Sequence, residues 1–356
     1  MSRIYQVFGD DAHDMCMALL EASKAWRLMP EGGTIALKPN LVLADTADRG
    51  AVTHPGIVAA CIEYFRAHGA SDICVIESSW VGERSTANAL ERSGIGEVCR
   101  RLGVPFHDLK RDKTVAVETP IGRIPVCRKA AEAGLLVDLP VLKGHCQTRM
   151  TCALKNLKGC IPDSEKRRFH TLGLTRPIAA LACALAPALT IVDSICGDLD
   201  FEEGGTPIQT MRMYLAYDAV QADAFGRSLM GLSPDEVPYI ELAEQFGAGS
   251  TAFSAQDVVN LNEPTDATRY ETHLPSTDSL VENVHADQAC SACYAALVRA
   301  LYVTGRCDVT TCIGQGWQDK TFAGLGIGRC ARGVTQCVMG CPPSATDIAE
   351  ALMDFR

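Results

Sequence analysis

The chain has 356 residues, and its 33 basic residues face 43 acidic ones, which gives a formal net charge of -10. This acidity argues against nucleic acid or an anionic membrane as a general partner. No apolar stretch reaches the ~18 residues of a membrane span, and the start, MSRIYQVFGDDAHD, lacks the regions of a signal peptide. We therefore expect a globular protein of the cytoplasm, long enough to bury a large core.

Short apolar runs alternate with amphipathic stretches over the first two-thirds of the chain, which predicts an α/β fold with a mostly parallel sheet covered by helices. Four runs predict buried strands that each end on a charged residue. They span residues 34–38, 73–77, 135–143 and 189–193, and end at Lys38, Glu77, Lys143 and Asp193. Ligands collect at the carboxyl ends of parallel strands, so these four residues predict a binding site. The alternative is that they only mark where each strand leaves the core.

The segment that follows the first of these strands predicts an anion site. Thr53 is the predicted N-cap of a helical run that stops at Gly69. Free N–H groups and the dipole at a helix start attract anions, although a cap without a ligand is the commoner arrangement. Lys38, Asn40 and Thr53 are accordingly predicted to bind substrate.

Residues 143–170 form a basic stretch within an acidic protein, with seven lysines and arginines against Asp163 and Glu165. Such a stretch is typical of a clamp for a carboxylate or phosphate, in which lysine acts as a point charge and arginine donates two hydrogen bonds. A solvated basic face is the alternative. The predicted catalytic residues are Lys143, His145 and Lys155, and the further substrate-binding residues are Arg149, Asn156, Lys166 and His170.

Two other groups of residues accompany this basic stretch. Three cysteines lie within it, and a field of lysines lowers thiol pKa values, so a catalytic thiolate is an alternative. These cysteines are Cys146, Cys152 and Cys160. An acidic stretch follows later in the chain, and we expect it to pair with the basic residues rather than to bind a hard cation. It consists of Asp193, Asp198, Asp200, Glu202 and Glu203.

From residue 248 to 289 the sequence loses its periodicity and fills with polar and turn-forming residues, which predicts a junction between domains. We therefore predict an α/β domain with a basic pocket over 1–247, a linker over 248–289, and a small glycine- and cysteine-rich domain over 290–356.

Seventeen cysteines are too many for an average cytosolic chain, and a secreted disulfide scaffold would be shorter, so metal, cluster or redox chemistry is indicated. Cys290 and Cys293 form a Cys-x-x-Cys pair that can hold two corners of one metal site. Cys330, Cys337 and Cys341 follow among glycines, which let the backbone bend closely and point N–H groups at sulfur.

A 4Fe-4S cluster fits this pattern better than structural zinc, which normally uses a second Cys-x-x-Cys pair. Free thiols or a redox disulfide are further alternatives. Other cysteines lie in apolar or helical runs, where they are expected to pack as small hydrophobic residues. These are Cys16, Cys61, Cys74, Cys99 and Cys183.

Several motifs together resemble the family named domain of unknown function 362, in its branch that contains an iron–sulfur cluster. They are KPN near the start, THPG, LPVLKGHCQTRMTCALKNLKG, VDSICGDLDFEEGGTP and the terminal GCPPSATDI. The resemblance runs over nearly the whole chain and implies an α/β domain followed by an iron–sulfur domain. It places a 4Fe-4S cluster on Cys290, Cys293, Cys330 and Cys341. Cys337 is an alternative to Cys330, whereas the pattern does not require Cys307 or Cys312.

A cluster combined with a basic pocket predicts an iron–sulfur oxidoreductase, because reduction needs both an electron source and a proton source. Its substrate would be a small anionic metabolite, with His145 or Lys143 as the proton donor and a ferredoxin or flavodoxin as the electron donor. Two alternatives stay open. One is a non-redox isomerase or lyase in which lysine and histidine transfer a proton beside a structural cluster. The other is an electron-transfer or cluster-delivery protein, which would not need the basic pocket.

Overall fold

The computed structural model describes residues 3–81, 85–198, 207–264 and 278–355. The chain forms two compact units. The first comprises residues 1–165 and 175–273, and the second comprises residues 166–174 and 274–356. Within the described residues, no helix combines the length and the apolar character needed to cross a membrane.

The first unit contains most of the strands and helices. Its strands are β1 (Ile4–Phe8), β2 (Ile35–Pro39), β3 (Ile73–Glu77), β4 (Phe106–Asp108), β5 (Thr114–Thr119), β6 (Gly122–Cys127), β7 (Leu135–Leu139), β8 (Lys143–His145), β9 (Arg149–Thr151), β10 (Leu189–Asp198), β11 (Pro207–Ala216) and β12 (Val258–Asn260). Its helices are α1 (Ala12–Ser23), α2 (Pro55–Ala67), α3 (Ala87–Arg92), α4 (Ile95–Leu102), α5 (Arg128–Ala131), α6 (Ala153–Asn156), α8 (Thr175–Leu185), α9 (Ala219–Leu229) and α10 (Tyr239–Gln245). Helix α7 (Asp163–Thr171) starts in this unit, and its residues from Lys166 onward belong to the second.

Eight strands of the first unit form one sheet in the order β12-β1-β11-β10-β7-β2-β3-β4. Strand β11 runs antiparallel to its neighbours β10 and β1, and the other pairings are parallel. The fold is therefore mixed α/β with a largely parallel central sheet, as the alternating apolar and amphipathic runs predict. Strands β5 and β6 form a separate antiparallel hairpin, as do β8 and β9.

Residue alternation along the strands decides which face of the sheet holds which core. Ile35 and Leu37 on β2 and Val137 on β7 belong to an apolar core shared with α1 and α2. Because successive side chains of a strand point to opposite faces, Lys38 and Asp138 point to the other face. Helix α6 contacts β7, α8 and α9. The face of the sheet that packs against α1 and α2 is apolar, whereas the face that carries Lys38 and Asp138 has buried polar and charged groups.

The predicted strand over 135–143 is two strands in the structure. Strand β7 ends at Leu139 and strand β8 begins at Lys143. Pro140 lies between them, and proline removes a donor from the strand ladder. The intervening residues stay beside β10, since the Asp193 N–H donates to Pro140 O at 2.8 Å and the Leu142 N–H donates to Asp193 O at 2.9 Å. Lys143 therefore opens a hairpin instead of ending a sheet strand.

The second unit has its own small sheet and core. Its strands β13 (Val284–Ala286), β14 (Thr311–Ile313), β15 (Leu325–Ile327) and β16 (Gln336–Val338) form a parallel four-stranded sheet in that order. Its helices α11 (Ser291–Thr304) and α12 (Ala345–Asp354) contact each other. Leu297, Leu301, Ile313, Ile327 and Leu352 lie in its apolar core.

Candidate functional site

A buried ion pair lies at the carboxyl ends of β2 and β3. Lys38 is fully buried, and its Nζ donates to Glu77 Oε2 at 2.6 Å. Burial is the largest single influence on Lys38 and lowers its pKa, but the attraction of Glu77, Cys160 and Asp138 and the hydrogen bond with Glu77 together outweigh it, so the pKa lies above its usual range. A Cβ on Gly159 would lie 2.8 Å from Lys38 Nζ and overlap the Glu77 carboxylate, so the backbone packs directly on the pair. The protein itself supplies an anionic partner for Lys38.

Asn156 connects this ion pair to the rest of the site. Its Oδ1 accepts hydrogen bonds from Lys38 Nζ at 3.1 Å and from Asn40 Nδ2 at 2.9 Å. Its Nδ2 donates to Asp138 Oδ1 at 2.7 Å. Asn156 is the last residue of α6 and is almost fully buried. The side-chain amide of Asn156 therefore links Lys38 on β2 and Asn40 just after it to Asp138 on β7.

Lys143 joins the same network through Asn40. Its Nζ donates to Asn40 Oδ1 at 3.3 Å and to Ala51 O at 2.6 Å, and the side chain is fully buried. The structure thus brings four predicted site residues into one hydrogen-bonded group, which we call the lysine–asparagine network. Its members are Lys38, Asn40, Lys143 and Asn156.

Thr53 lies beside this network but does not cap α2. Its Oγ1 accepts from the Asn40 N–H at 2.7 Å and donates to Leu139 O at 2.7 Å. The N-cap of α2 is His54, whose Nδ1 accepts from the Gly56 N–H at 3.0 Å. The predicted cap was therefore wrong by one residue, because tertiary hydrogen bonds engage the Thr53 hydroxyl. The start of the helix faces a protein anion, since the His54 N–H donates to Asp193 Oδ2 at 2.9 Å.

His145 is held in one tautomer by the turn between β8 and β9. The backbone N–H groups of Gln147 and Thr148 both donate to His145 Nδ1, each at 3.0 Å. A nitrogen that accepts two hydrogen bonds carries no proton, so the neutral imidazole has its hydrogen on Nε2. His145 can therefore present an Nε2–H group to a ligand. Lys155, the third predicted catalytic residue, precedes Asn156 on α6 and is 6% exposed.

The remaining predicted substrate-binding residues have other surroundings. Arg149 lies on β9 opposite His145, and its guanidinium pairs with Glu236 at 3.2 Å. Lys166 and His170 lie on α7 within the second unit. Of the acidic stretch, Asp200, Glu202, Glu203 and the side chain of Asp198 lie outside the described residues.

Two buried carboxyl groups on this face were missed in the sequence. Burial raises the pKa of Asp138 to about 8, against the opposing effects of Lys38 and the hydrogen bond from Asn156. Burial likewise raises the pKa of Asp223 to about 7. Asp223 accepts from the backbone N–H groups of Ala153 and Leu154, which start α6. A signal for Asp138 was available, since it is the one charged residue inside the apolar run LLVDLPVL.

Two of the three cysteines of the basic stretch do not resemble activated thiolates. Cys152 and Cys160 are fully buried, and burial raises the pKa of each thiol well above its usual range. Both are therefore neutral thiols at physiological pH. Among the cysteines expected to pack, Cys16, Cys61, Cys74 and Cys99 are buried and Cys183 is half-buried.

Cys290 and Cys293 lie at the start of α11, with Cys290 as its N-cap. The side-chain hydrogen bond with Cys293 and the backbone N–H groups of the helix start lower the pKa of Cys290 to about 6. That same hydrogen bond and burial raise the pKa of Cys293, and negative charge on Cys341 and Cys330 would raise it further. The other three predicted ligands, Cys290, Cys330 and Cys341, therefore all influence the pKa of Cys293.

Glycine makes the close approach of these segments possible. Gly328 has φ +82°, and a Cβ on it would lie 3.4 Å from Cys293 Sγ. Its N–H donates to Val338 O at 2.9 Å, and the next N–H, of Arg329, donates to Gly340 O at 2.9 Å. The turns that carry Cys330 and Cys341 are thereby held beside the start of α11. Cys341 is exposed, which places this cysteine group at the surface of its unit.

The alternative cysteines differ in position. Cys337 is half-buried and its thiol donates to Gly328 O at 3.5 Å, so it lies close to the same turn. Cys312 is fully buried in a small apolar cluster with Ala331 and Val334. Cys307 lies just after the C-terminal end of α11, at the opposite end of the helix from Cys290. Of these three, Cys337 is the one beside the predicted ligands.

One further group of possible metal ligands lies at the start of α1. Among the described residues, Asp11, His13 and Asp14 are the group of three whose ligand atoms all lie within 4.8 Å of one another. His13 Nε2 also lies 2.9 Å from Glu63 Oε2, and this hydrogen bond raises the pKa of His13. These groups are exposed or half-buried, as is common for acidic residues at a helix start.

Comparison with known proteins identifies the family. The sequence model described as Domain of unknown function (DUF362) matches residues 35–227. The chain belongs to the DUF362 family. The matched region contains Lys38, Asn40, Lys143 and Asn156, and so the whole lysine–asparagine network.

One further protein is similar to this chain in sequence, and one solved structure is similar to it in fold. The thylakoid-associated protein sll1697 of Synechocystis sp. is 25% identical over 232 residues, which are 62% of this chain and 70% of that protein. The structure of the lactate racemase apoprotein from Thermoanaerobacterium thermosaccharolyticum aligns with 64% of this chain at 14% identity and a TM-score of 0.46. The chain spans 56% of the length of that racemase structure.

Proposed function

We propose that this protein carries a 4Fe-4S cluster on Cys290, Cys293, Cys330 and Cys341 and is a redox enzyme for a small carboxylate or phosphate metabolite. The observation that carries the proposal is the close approach of the glycine turns before Cys330 and Cys341 to the start of α11: a Cβ on Gly328 would lie 3.4 Å from Cys293 Sγ, and the Arg329 N–H donates to Gly340 O at 2.9 Å. Four thiol donors, a glycine-lined turn and N–H groups at a helix start fit the needs of an iron–sulfur cluster. When bound, such a cluster supplies single electrons.

Two buried lysines support an anionic substrate. Lys143, at the start of β8, and Lys155, on α6, are cationic residues with 0% and 6% exposure. Buried cations of this kind stabilise negative charge more strongly than solvated ones do, because the surrounding dielectric is low. Their role would be to bind and orient the anion and to stabilise charge that develops on its oxygen atoms.

His145 supports the same chemistry from β8. Its neutral form holds the hydrogen on Nε2, because Nδ1 accepts two backbone hydrogen bonds. A neutral imidazole with a fixed N–H is a hydrogen-bond donor to a substrate oxygen that gains charge. The electrons would come from a small redox protein such as a ferredoxin or flavodoxin, which is the proposed partner.

The first experiment concerns the cofactor. The protein is purified anaerobically, and iron, sulfide and zinc are measured together with absorption and EPR spectra before and after dithionite. Cys290→Ser, Cys293→Ser, Cys330→Ser and Cys341→Ser should each lower the iron content, whereas the matched variants Cys307→Ser and Cys16→Ser should retain it. Cys337→Ser tests the alternative ligand. Stoichiometric zinc in place of iron, or full iron in the Cys341 variant, would overturn the cluster assignment.

The second experiment concerns the pocket, with acetate as the probe in calorimetry. Lys143→Ala should weaken acetate binding by about 2–4 kcal/mol if the lysine makes a desolvated contact, but by under ~1 kcal/mol if it acts as a solvated charge. Once a substrate is found, His145→Ala should lower turnover about a hundredfold with a smaller effect on binding. Unchanged affinity in the first variant together with unchanged turnover in the second would remove this site.

A non-redox isomerase or lyase is the second candidate. The fixed His145 tautomer and the buried lysines favour it, because proton transfer and charge stabilisation need no electrons. The EPR spectrum separates the two: a signal that changes when a carboxylate substrate binds favours redox chemistry, whereas turnover beside an unchanged signal favours the isomerase or lyase. Iron without turnover of any carboxylate would favour an electron-transfer or cluster-delivery protein.

A further inference from the structure

Asp138 is a buried carboxyl group that is hydrogen-bonded to the lysine–asparagine network through Asn156. It is 0% exposed, and it pairs in register with Lys38 on β2 and with Thr190 on β10. Paired residues of parallel strands point to the same face of the sheet, so these three side chains form a row across it. The carboxyl group therefore lies between the Lys38–Glu77 ion pair and a threonine.

The first oxygen of Asp138 fixes the orientation of a neighbouring amide. Oδ1 accepts from Asn156 Nδ2 at 2.7 Å, while Asn156 Oδ1 accepts from Lys38 Nζ at 3.1 Å. A flipped amide would point its NH2 group at the Lys38 ammonium and its oxygen at the carboxylate, which loses both bonds. Asp138 thus determines which end of Asn156 faces the lysine.

That orientation extends through a second amide to Lys143. Asn156 Oδ1 also accepts from Asn40 Nδ2 at 2.9 Å, which leaves Asn40 Oδ1 to accept from Lys143 Nζ at 3.3 Å. Each link sets the donor and acceptor ends of the next. A continuous chain of four buried side chains therefore runs from the carboxyl group to the proposed substrate-binding lysine.

The second oxygen of Asp138 is the position at which a proton can reside. Within the described part of the chain, Asp138 Oδ2 and Thr190 Oγ1 are both buried without a hydrogen-bond partner. Because Oδ1 accepts the amide N–H, Oδ2 is the oxygen that can carry a proton. Burial raises the pKa of Asp138 to about 8, so the proton exchanges near neutral pH.

Several other titratable groups face Asp138 from the elements around it. Lys38 on β2 favours its ionised form, whereas Glu77 on β3 and Asp223 on α9 disfavour it. Cys160, which follows α6, also interacts with it and is a neutral thiol. The charges of Lys38 and Glu77 cancel within their ion pair. Gain or loss of the proton on Asp138 therefore changes the net charge of this buried group of residues by one unit.

We propose that Asp138 is a positioning residue that fixes the Asn156 and Asn40 amides and thereby Lys143, and that a proton on its Oδ2 controls the charge of the network. The inference rests on the proposed function only in identifying Lys143 as a substrate-binding residue. When the proton leaves, the negative charge strengthens the bond from Asn156 and draws Lys38 toward β7. The organisation of the site therefore depends on pH.

The test uses the side-chain amide NMR signals of Asn156 and Asn40 in protein labelled with 15N-asparagine, recorded from pH 6 to 9.5. In the native protein both signals should shift with one common midpoint, and carboxyl-13C aspartate should show the same midpoint for Asp138. Asp138→Asn keeps an acceptor for Asn156 Nδ2 but cannot titrate, so the midpoint should vanish. Asp223→Asn is the matched control, because it removes the neighbouring buried carboxyl and should leave the titration in place.

Amide signals that stay constant over this range in the native protein would overturn the inference, as would a titration that survives in Asp138→Asn. The native measurement needs no variant, so a variant that fails to fold does not leave the question open. Where acetate binding is measurable, Asp138→Leu should raise its dissociation constant about tenfold and Asp138→Asn less than about twofold. These NMR signals require neither iron nor ligand, so a missing cluster or absent acetate binding counts against the proposed function alone.

Discussion

Replacing Lys38 by methionine is the most direct test of the charge compensation in the site. The variant removes the ammonium and leaves Glu77, which is 3% exposed, without its ion-pair partner. At the 2.6 Å separation of Nζ and Oε2, the attraction is about 6 kcal/mol for an effective dielectric constant of about 20. Desolvation of both groups opposes this attraction. The expected loss in unfolding free energy is therefore about 3–5 kcal/mol, as is typical when one partner of a buried ion pair is removed.

The assay is urea denaturation followed by circular dichroism, with a double-mutant cycle. Lys38→Met with Glu77→Gln should recover much of the loss, because no buried charge remains uncompensated. Arg128→Met is the matched control: its pair with Glu132 is half-exposed, so the expected loss is under ~1 kcal/mol. A loss of under ~1 kcal/mol in Lys38→Met, or a double variant as unstable as the sum of both changes, would refute the reasoning.

Three further predictions concern single residues. Gly159→Ala should lower the unfolding temperature without lowering iron content, because its Cβ would overlap the Glu77 carboxylate; an unchanged melting curve would contradict the close packing. Gly328→Ala should lower iron content, since φ is +82° and the Cβ would lie 3.4 Å from Cys293 Sγ, and normal iron loading would show that this turn does not shape the cluster site. For Asp223, whose folded pKa of about 7 exceeds the usual 3.8, stability should fall as pH rises from about 4 to 7, and Asp223→Asn should flatten the curve of unfolding free energy against pH.

The apolar runs of the sequence predicted where strands begin better than where they end, since β10 begins at Leu189 as predicted but continues past Asp193 to Asp198. The runs at 34–38 and 73–77 correspond to β2 and β3, and their charged ends, Lys38 and Glu77, form a buried ion pair. The run at 135–143 predicted one strand because its residues are all buried, but Pro140 interrupts the strand and the structure has two. Apolar periodicity reports burial directly, whereas strand continuity depends on hydrogen bonds that proline removes.

The partners of the site residues were harder to predict than their positions. Asn40, Lys143 and Asn156 come from separate segments, and the basic stretch and the strand ends indicated all three. Sequence could not show that Thr53 bonds Leu139 O instead of capping α2, because hydroxyl groups serve either role equally well. The protonation of Asp138 was also hidden, since it depends on burial and on charges from other strands.

The ion pair between Lys38 and Glu77 gives Lys38 a different role from the other buried lysines. For Lys38 to bind an anion it would have to leave Glu77, and an uncompensated buried carboxylate costs about 3–5 kcal/mol, which corresponds to a loss of roughly two to four orders of magnitude in affinity. An anion that contacted Lys38 would therefore bind weakly. Lys38 is better suited to hold Asn156 in place, through the bond at 3.1 Å, than to contact a substrate. Under the proposed function the ligand contacts are those of Lys143, His145 and Lys155, and Lys38→Met should act on stability more than on anion affinity.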